Sequence, residues 1–387
     1  MLDRLDRQPP DALLALIQAF ADDDRPNKID LGVGVYRTGE GATPVFAAIK
    51  EAERRLVGEQ MSKSYLGPEG DMGFVMGLKP YIFGDDATMG GRIAGMQTPG
   101  GTGAVRLGLA VAKAAGARTV HLGMPSWPNH AQIVEDLGLE LAPFDHVAGD
   151  GADADSVVAR IAAAGAHEVF VLQGSSHNPT GVDYEEAQWT MLADALERSP
   201  AIPLIDVAYQ GLGQGMDEDV AGLRTVLKRV PEAIVAYSCD KNFGLYRDRV
   251  GALYVLGQGA DDLNRIMSHA SALARANWSM PPDHGAAAVR IVLRDTELTD
   301  TWLEELADMR SRIHGVRDRL ASSGIAGLER LNRQNGLFAM LPLSPQQVDR
   351  MRDDHAVYMA RSGRINVAGL HDGNIAAFLE AFGAVAD

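Results

Sequence analysis

The sequence predicts an α/β fold: a mostly parallel central sheet with helices on both faces, joined to a smaller α+β domain. Three observations predict it. Through the middle of the chain short apolar runs, TVHLG (119–123), VFVLQ (169–173), IPLID (202–206) and AIVAYS (233–238), alternate with helical patterns. That rhythm belongs to parallel strands joined by helical crossovers. Beyond residue 258 it gives way to long helices and a few short extended runs. Finally, 387 residues exceed what one small core organises, so two lobes are expected.

In chain order, QTPGGTGAVRLGLAVAKAAG places Gly100, Gly101 and Thr102 just before a clear helix. In DYEEAQWTMLADALERSP, Asp183 and Glu186 have capping-box spacing, and Trp189, Leu192 and Leu196 share one helical face. GALYVL (251–256) reads as a strand, but the loop before it is too short for a crossover, so it should run antiparallel to its predecessor. A helix to about Arg275 breaks at Pro281-Pro282; another follows, and a long one spans 297–323 with its Met and Leu stripes as core. FAMLPL, the helix of SPQQVDRMRDD, VYMA, RINVAG and a last helix make the small lobe. The expected division is an N-terminal segment 1–42 packing with the small domain, a large domain 43–309 and a small domain 310–387.

Composition bounds the function. The formal charge is −16, so the chain's field repels nucleic acid and anionic membranes. An anionic ligand then needs local cations. Cys239 is the only cysteine, which excludes an intrachain disulfide and a cysteine metal cluster. The N-terminus lacks a basic segment leading into an apolar run, and no apolar stretch approaches the ~20 residues of a membrane span. A soluble, cytoplasmic protein is expected, without nucleic-acid or membrane partners.

In an open parallel sheet, ligands bind beyond the carboxyl ends of the strands. Here those ends carry Trp127, His130, His177, Asn178, Asp206, Tyr209, Ser238 and Lys241. Each alone has an ordinary structural explanation, but four functional-looking ends on one edge make a site. The Gly100–Gly101–Thr102 turn offers free N–H groups, a hydroxyl and the positive end of a helix to a phosphate. Pyridoxal 5'-phosphate fits this set: Lys241 for a Schiff base, Asp206 for the pyridine nitrogen, Trp127 for the ring face and Arg249 for the phosphate.

The chain also resembles the aspartate/aromatic aminotransferases, class I enzymes of the fold-type I pyridoxal-phosphate group, nearly end to end. The matching stretches are DLGVGVYR (30–37), SYLGPEG (64–70), TPGGTGA (98–104), PSWPNH (125–130), HNPTG (177–181), DVAYQG (206–211), DKNFGLYRDRVGA (240–252), RANWS (275–279) and GRINVAG (363–369). The resemblance implies that Lys241 forms the Schiff base and shuttles the substrate's α-proton. It gives Asp206 the ring nitrogen, with His130 behind it, and gives Asn178 and Tyr209 the ring's phenolic oxygen. Trp127 stacks on the ring. Gly100, Gly101, Thr102, Ser238 and Arg249 form the phosphate site, with Tyr65 reaching it from the other subunit of a homodimer. Arg364, beside the backbone at Gly34, takes the substrate's α-carboxylate; Trp127 and Asn178 border the substrate; Arg275 of the neighbouring subunit clamps a side-chain carboxylate. His177 is read as structural.

Two positions depart from the family. Asp240 stands where Ser usually precedes the lysine, which would set a carboxylate near the phosphate unless it turns away or is offset by Arg249. Met280 replaces the usual Asn after the RANWS motif, and Ser64 replaces the usual Asn before Tyr65; an adaptable Met favours aromatic or large aliphatic side chains. The expected activity is transfer of the amino group of aspartate, phenylalanine or tyrosine to 2-oxoglutarate in two half-reactions. The alternatives are a β-lyase or decarboxylase on the same scaffold, or a non-catalytic cofactor-binding protein.

Overall fold

Seven strands form the sheet that positions the site: β1 (Ile93–Pro99), β2 (Thr119–Met124), β3 (Glu140–Asp145), β4 (Glu168–Gln173), β5 (Ile202–Val207), β6 (Ala233–Ser238) and β7 (Val250–Leu256). The computed structural model describes residues 2–7, 12–84 and 91–386; residues 1 and 8–11 of the expected N-terminal segment, with 85–90 and 387, lie outside the described residues. The chain divides into a larger unit, 44–311 with 333–336, and a smaller one, 1–43 with 312–332 and 337–387.

In the larger unit the strand order is β1-β7-β6-β5-β4-β2-β3. The pairs β2–β3, β2–β4, β4–β5 and β5–β6 are parallel. Strand β7 runs antiparallel to β6, with Gly251 opposite Ser238, and antiparallel to β1. The short loop before it demands this reversal. Two strands escaped the sequence pattern for opposite reasons. β1 buries Gln97 and Thr98 among its apolar residues, while β3 is an edge strand that carries Pro143 and exposes much of its surface.

Helix α1 (Gly100–Ala114) lies on β6 and β7 and buries Val105, Leu107 and Leu109 in a core shared with Leu204, Ile234 and Leu253. A Cβ at Gly108 would lie 2.7 Å from Ile234 Cγ2, so glycine sets how closely this helix approaches the sheet. Helix α2 (Glu186–Glu197) buries Trp189, Leu192 and Leu196 as its periodicity requires. Its capping box is Glu185 with Gln188, not Asp183 with Glu186. The Asp183 carboxylate instead accepts the backbone N–H groups of Ser176 and His177, both at 2.9 Å. The largely buried loop after β4 needs an acceptor for those donors, and Glu185 already serves the helix.

Helix α3 (Ala260–Asn277) ends before Pro281-Pro282, and α4 (Thr296–Ala321) is the long helix. The smaller unit pairs Ile29–Asp30 with Val357–Tyr358 in parallel, and Phe338–Met340 with Arg364–Asn366 antiparallel. Its core joins Leu31, Leu331, Ile365, Phe378 and Phe382. Among the described residues no helix is long and apolar enough to cross a membrane.

Candidate active site

A cavity of about 200 Å³ opens where strands β2, β4, β5 and β6 end. Strand ends bring Trp127, Gln173, Asn178, Asp206, Tyr209, Ser238 and Lys241 to its wall; Gly101 and Thr102 come from the helix start and Arg249 from the turn into β7. Ala208 and Asp240 complete the lining.

One end of the cavity suits an anion. Helix α1 begins at Gly100 itself rather than after Thr102, so Gly100, Gly101 and Thr102 form its first turn. First-turn N–H groups have no acceptor within the helix and sit at its positive end. A Cβ at Gly101 would lie 2.9 Å from Ser238 Cβ, so glycine brings this turn against the end of β6. Gly100 does not line the cavity. With φ of +71° its absent Cβ leaves room for Arg249, whose Nη2 would be 2.6 Å away. Arg249 itself adopts φ of +56°, donates to the Tyr246 carbonyl at 3.1 Å and is ion-paired with Asp240. Asp240 is 2% exposed and has not turned away. Burial pushes its carboxyl pKa up, against the opposing charges of Lys241 and Arg249.

Asp206, also in the lining, is 6% exposed. Its Oδ2 meets His130 Nε2 at 2.9 Å, and its Oδ1 is buried without a hydrogen-bond partner. Gln173 extends this chain of bonds. The backbone N–H of Asn178 must donate to Gln173 Oε1 (2.8 Å), so Gln173 Nε2 faces the Asn178 carbonyl (3.0 Å) and Ser126 Oγ (3.4 Å). Ser126 Oγ lies 2.9 Å from His130 Nδ1, and His130 Nε2 faces Asp206. Asn178 Nδ2 reaches the Tyr209 hydroxyl at 3.4 Å, and Asn178 Oδ1 is a second buried acceptor left unpaired.

Lys241 lies three residues past β6, its Nζ 5.3 Å from the centre of the Tyr209 ring. Burial lowers its pKa; Asp240 and Asp206 oppose the shift and Arg249 adds to it. The next residues anchor the loop. Asn242 donates to the Tyr237 hydroxyl at 2.9 Å, Trp302 Nε1 donates to the Asn242 carbonyl at 2.7 Å, and Phe243 stacks on Trp302 with ring centres 4.3 Å apart. These contacts fix the lysine at its base.

The other predicted residues are not part of this lining. Tyr65 is 90% exposed. Arg275, exposed on the last turn of α3, donates to Ser279 Oγ at 2.6 Å. Met280 Sδ accepts from the backbone of Leu66 at 3.1 Å, which sets it beside the Tyr65 segment. Gly34 and Arg364 belong to the smaller unit. There Arg364 stands over the Phe338 ring at 4.7 Å and donates to the Gly32 carbonyl at 3.0 Å, while a Cβ at Gly34 would lie 2.6 Å from Phe338 Cζ. His177 bonds Thr180 Oγ1 at 2.9 Å and stacks on His146 at 3.7 Å, a structural role. Sequence reasoning missed Gln173 and Phe338. Gln173 carried a usable signal as the last residue of an apolar strand on the binding edge; Phe338 carried none beyond its strand.

A lysine of lowered pKa, an anion cradle and an unpaired carboxylate at the carboxyl edge of a parallel sheet define an α/β enzyme equipped for amine and carbonyl chemistry. The chain belongs to the family described as aminotransferase class I and II, whose model matches residues 26–382. It is 47% identical to the tyrosine aminotransferase of Rhizobium meliloti (strain 1021) over 375 residues, 96% of each chain. It is 38% identical to the aspartate aminotransferase of Escherichia coli (strain K12) over the full length of both. The aromatic-amino-acid aminotransferase from Burkholderia pseudomallei, solved covalently bound to pyridoxal phosphate, superposes with a TM-score of 0.94 at 32% identity, covering all of both chains.

Proposed function

We propose that this aminotransferase uses pyridoxal 5'-phosphate to move the amino group of aspartate and of aromatic amino acids to 2-oxoglutarate. The observation that carries the cofactor is the buried, unpaired Oδ1 of Asp206, facing a cavity that also holds Lys241 and the glycine-rich helix start. A buried carboxylate oxygen left unsatisfied costs free energy unless a cationic donor meets it, and a protonated pyridine nitrogen is such a donor. The residues therefore fit the group.

When bound, the cofactor's ring draws electrons from the substrate's α-carbon and stabilises negative charge there. The chain supplies the rest. Asp206, backed by His130, would hold the proton on the ring nitrogen. Asn178 and Tyr209 would donate toward the ring oxygen, and Trp127 would cover one face. Gly101, Thr102, Ser238 and Arg249 would hold the phosphate. Lys241 Nζ would hold the cofactor, and the Lys241 amine would take the substrate's α-proton and return it. Burial suits this task, because a lowered pKa leaves more of the amine in its neutral, basic form. Arg364, with the backbone at Gly34, takes the α-carboxylate. Tyr65 and Arg275 act on the neighbouring subunit of a cytoplasmic homodimer, which accounts for their exposure here. Met280 adapts to aromatic side chains while Arg275 serves dicarboxylates; relatives named for tyrosine and for aspartate support both substrates.

The test is a single-turnover absorbance titration of cofactor-loaded protein with L-aspartate and L-phenylalanine separately. Loss of the visible band with both, and its return with 2-oxoglutarate, is expected. No change with either would sink the assignment.

A further inference from the structure

We propose that Asp240 is a built-in anion that competes with the cofactor's phosphate for Arg249, so that this chain holds its cofactor less tightly than the same site without that carboxylate would. The inference rests on the pyridoxal-phosphate reading above. Asp240 lines the cavity at 2% exposure, and its Oδ2 is paired with Arg249 Nη1. The backbone holds it there: Oδ1 accepts from the Val250 N–H at 3.2 Å, and the Asp240 N–H donates to Ser238 Oγ at 3.3 Å. The ion pair lies against the first residue of helix α1, since a Cβ at Gly100 would be 2.6 Å from Arg249 Nη2 and 3.0 Å from Asp240 Oδ2. The guanidinium that would receive phosphate is thus already engaged by a carboxylate, and Ser238 Oγ is already a hydrogen-bond acceptor for the same residue.

Charge makes the consequence definite. Ionised Asp240 cancels Arg249, so an entering phosphate dianion meets a neutral pair instead of a cation. The other charged or titratable groups around Asp240 are Lys241 beside it, which the Schiff base would engage, the buried Cys239 thiol, and Asp206, which also lines the cavity. Among these only Lys241 could compensate, and it is committed to the ring. Asn at position 240 would keep an acceptor for Val250 while removing the charge; Ser would remove both the charge and the reach to Arg249.

The experiment titrates cofactor-free wild type, D240N and D240S with pyridoxal phosphate and, separately, with pyridoxal, following the visible absorbance of the bound ring. Pyridoxal lacks the phosphate and serves as the internal reference. The pyridoxal-phosphate Kd is expected to fall roughly tenfold or more in both variants, with the pyridoxal Kd changed by no more than about twofold. D240N guards against a folding defect in D240S. Unchanged or weaker pyridoxal-phosphate binding by D240N overturns the inference. An equal gain for both ligands also overturns it, because the effect would then lie on Lys241. Failure of wild type to bind either ligand overturns the cofactor reading and this inference together, whereas normal binding without a D240N effect overturns this inference alone.

Discussion

Lys241 holds its ammonium where burial makes charge expensive, and its pKa is lowered from 10.5 despite the nearby Asp240 and Asp206. The unfolded chain therefore binds more protons than the folded one between the folded value and 10.5. Stability of the cofactor-free protein rises with pH across that window, and the penalty is fully present below it. Lys241→Met is expected to flatten the rise. Urea midpoints from about pH 8 upward would show it, and an unchanged slope would remove the claim. Asp240 has the opposite sign: its pKa is raised above 3.8, so its contribution to stability is lost as pH rises from 3.8 toward the folded value. Single residues were legible in the sequence where the strand rule located them. Lys241, Asp206, Asn178 and Ser238 follow apolar runs and face the cavity. Gln173 was not singled out, because its part depends on amide geometry against Asn178 and Ser126, which spacing does not encode.

The loop between β4 and α2 illustrates how an element presents a cavity-lining group. Asp183 binds the N–H groups of Ser176 and His177 and also receives Asn335 Nδ2 at 3.0 Å. These bonds brace the turn that presents Asn178. Asp183→Ala is expected to cost about 1–3 kcal/mol, since it strands two backbone donors in a largely buried loop. It should also weaken cofactor binding. Denaturant unfolding and an absorbance titration would test both, and an unmoved midpoint would show that the carboxylate is not the brace. The sequence pattern assigned Asp183 to the helix cap because spacing alone favours a capping box there. The fold chose Glu185, two residues on, and left Asp183 for donors that only the folded loop brings within reach. Strand β7's direction, by contrast, was legible, because loop length alone excludes a parallel crossover.

At the scale of the whole molecule, the prediction concerns sharing between subunits. Arg275→Ala should cripple turnover of aspartate while sparing phenylalanine and tyrosine; equal losses would show that the arginine clamps no side chain. Mixing inactive Lys241→Ala subunits with Arg275→Ala subunits should restore roughly a quarter of the wild-type aspartate rate, because half of randomly mixed dimers would carry one intact site. No recovery would place Arg275 in the site of its own chain. The sequence by itself determined the alternation of strands and helices, the edge on which ligands gather, and the residue types that await them, since these depend on local periodicity and strand ends. The tertiary structure decided what those residues do to one another. It paired Asp240 with Arg249, linked Gln173 through Ser126 and His130 to Asp206, and left Asp206 Oδ1 unsatisfied. These relations join residues nine positions apart for Asp240 and Arg249 and 76 apart for His130 and Asp206, where burial makes each unpaired charge or polar atom costly; their energies depend on distance in space rather than along the chain.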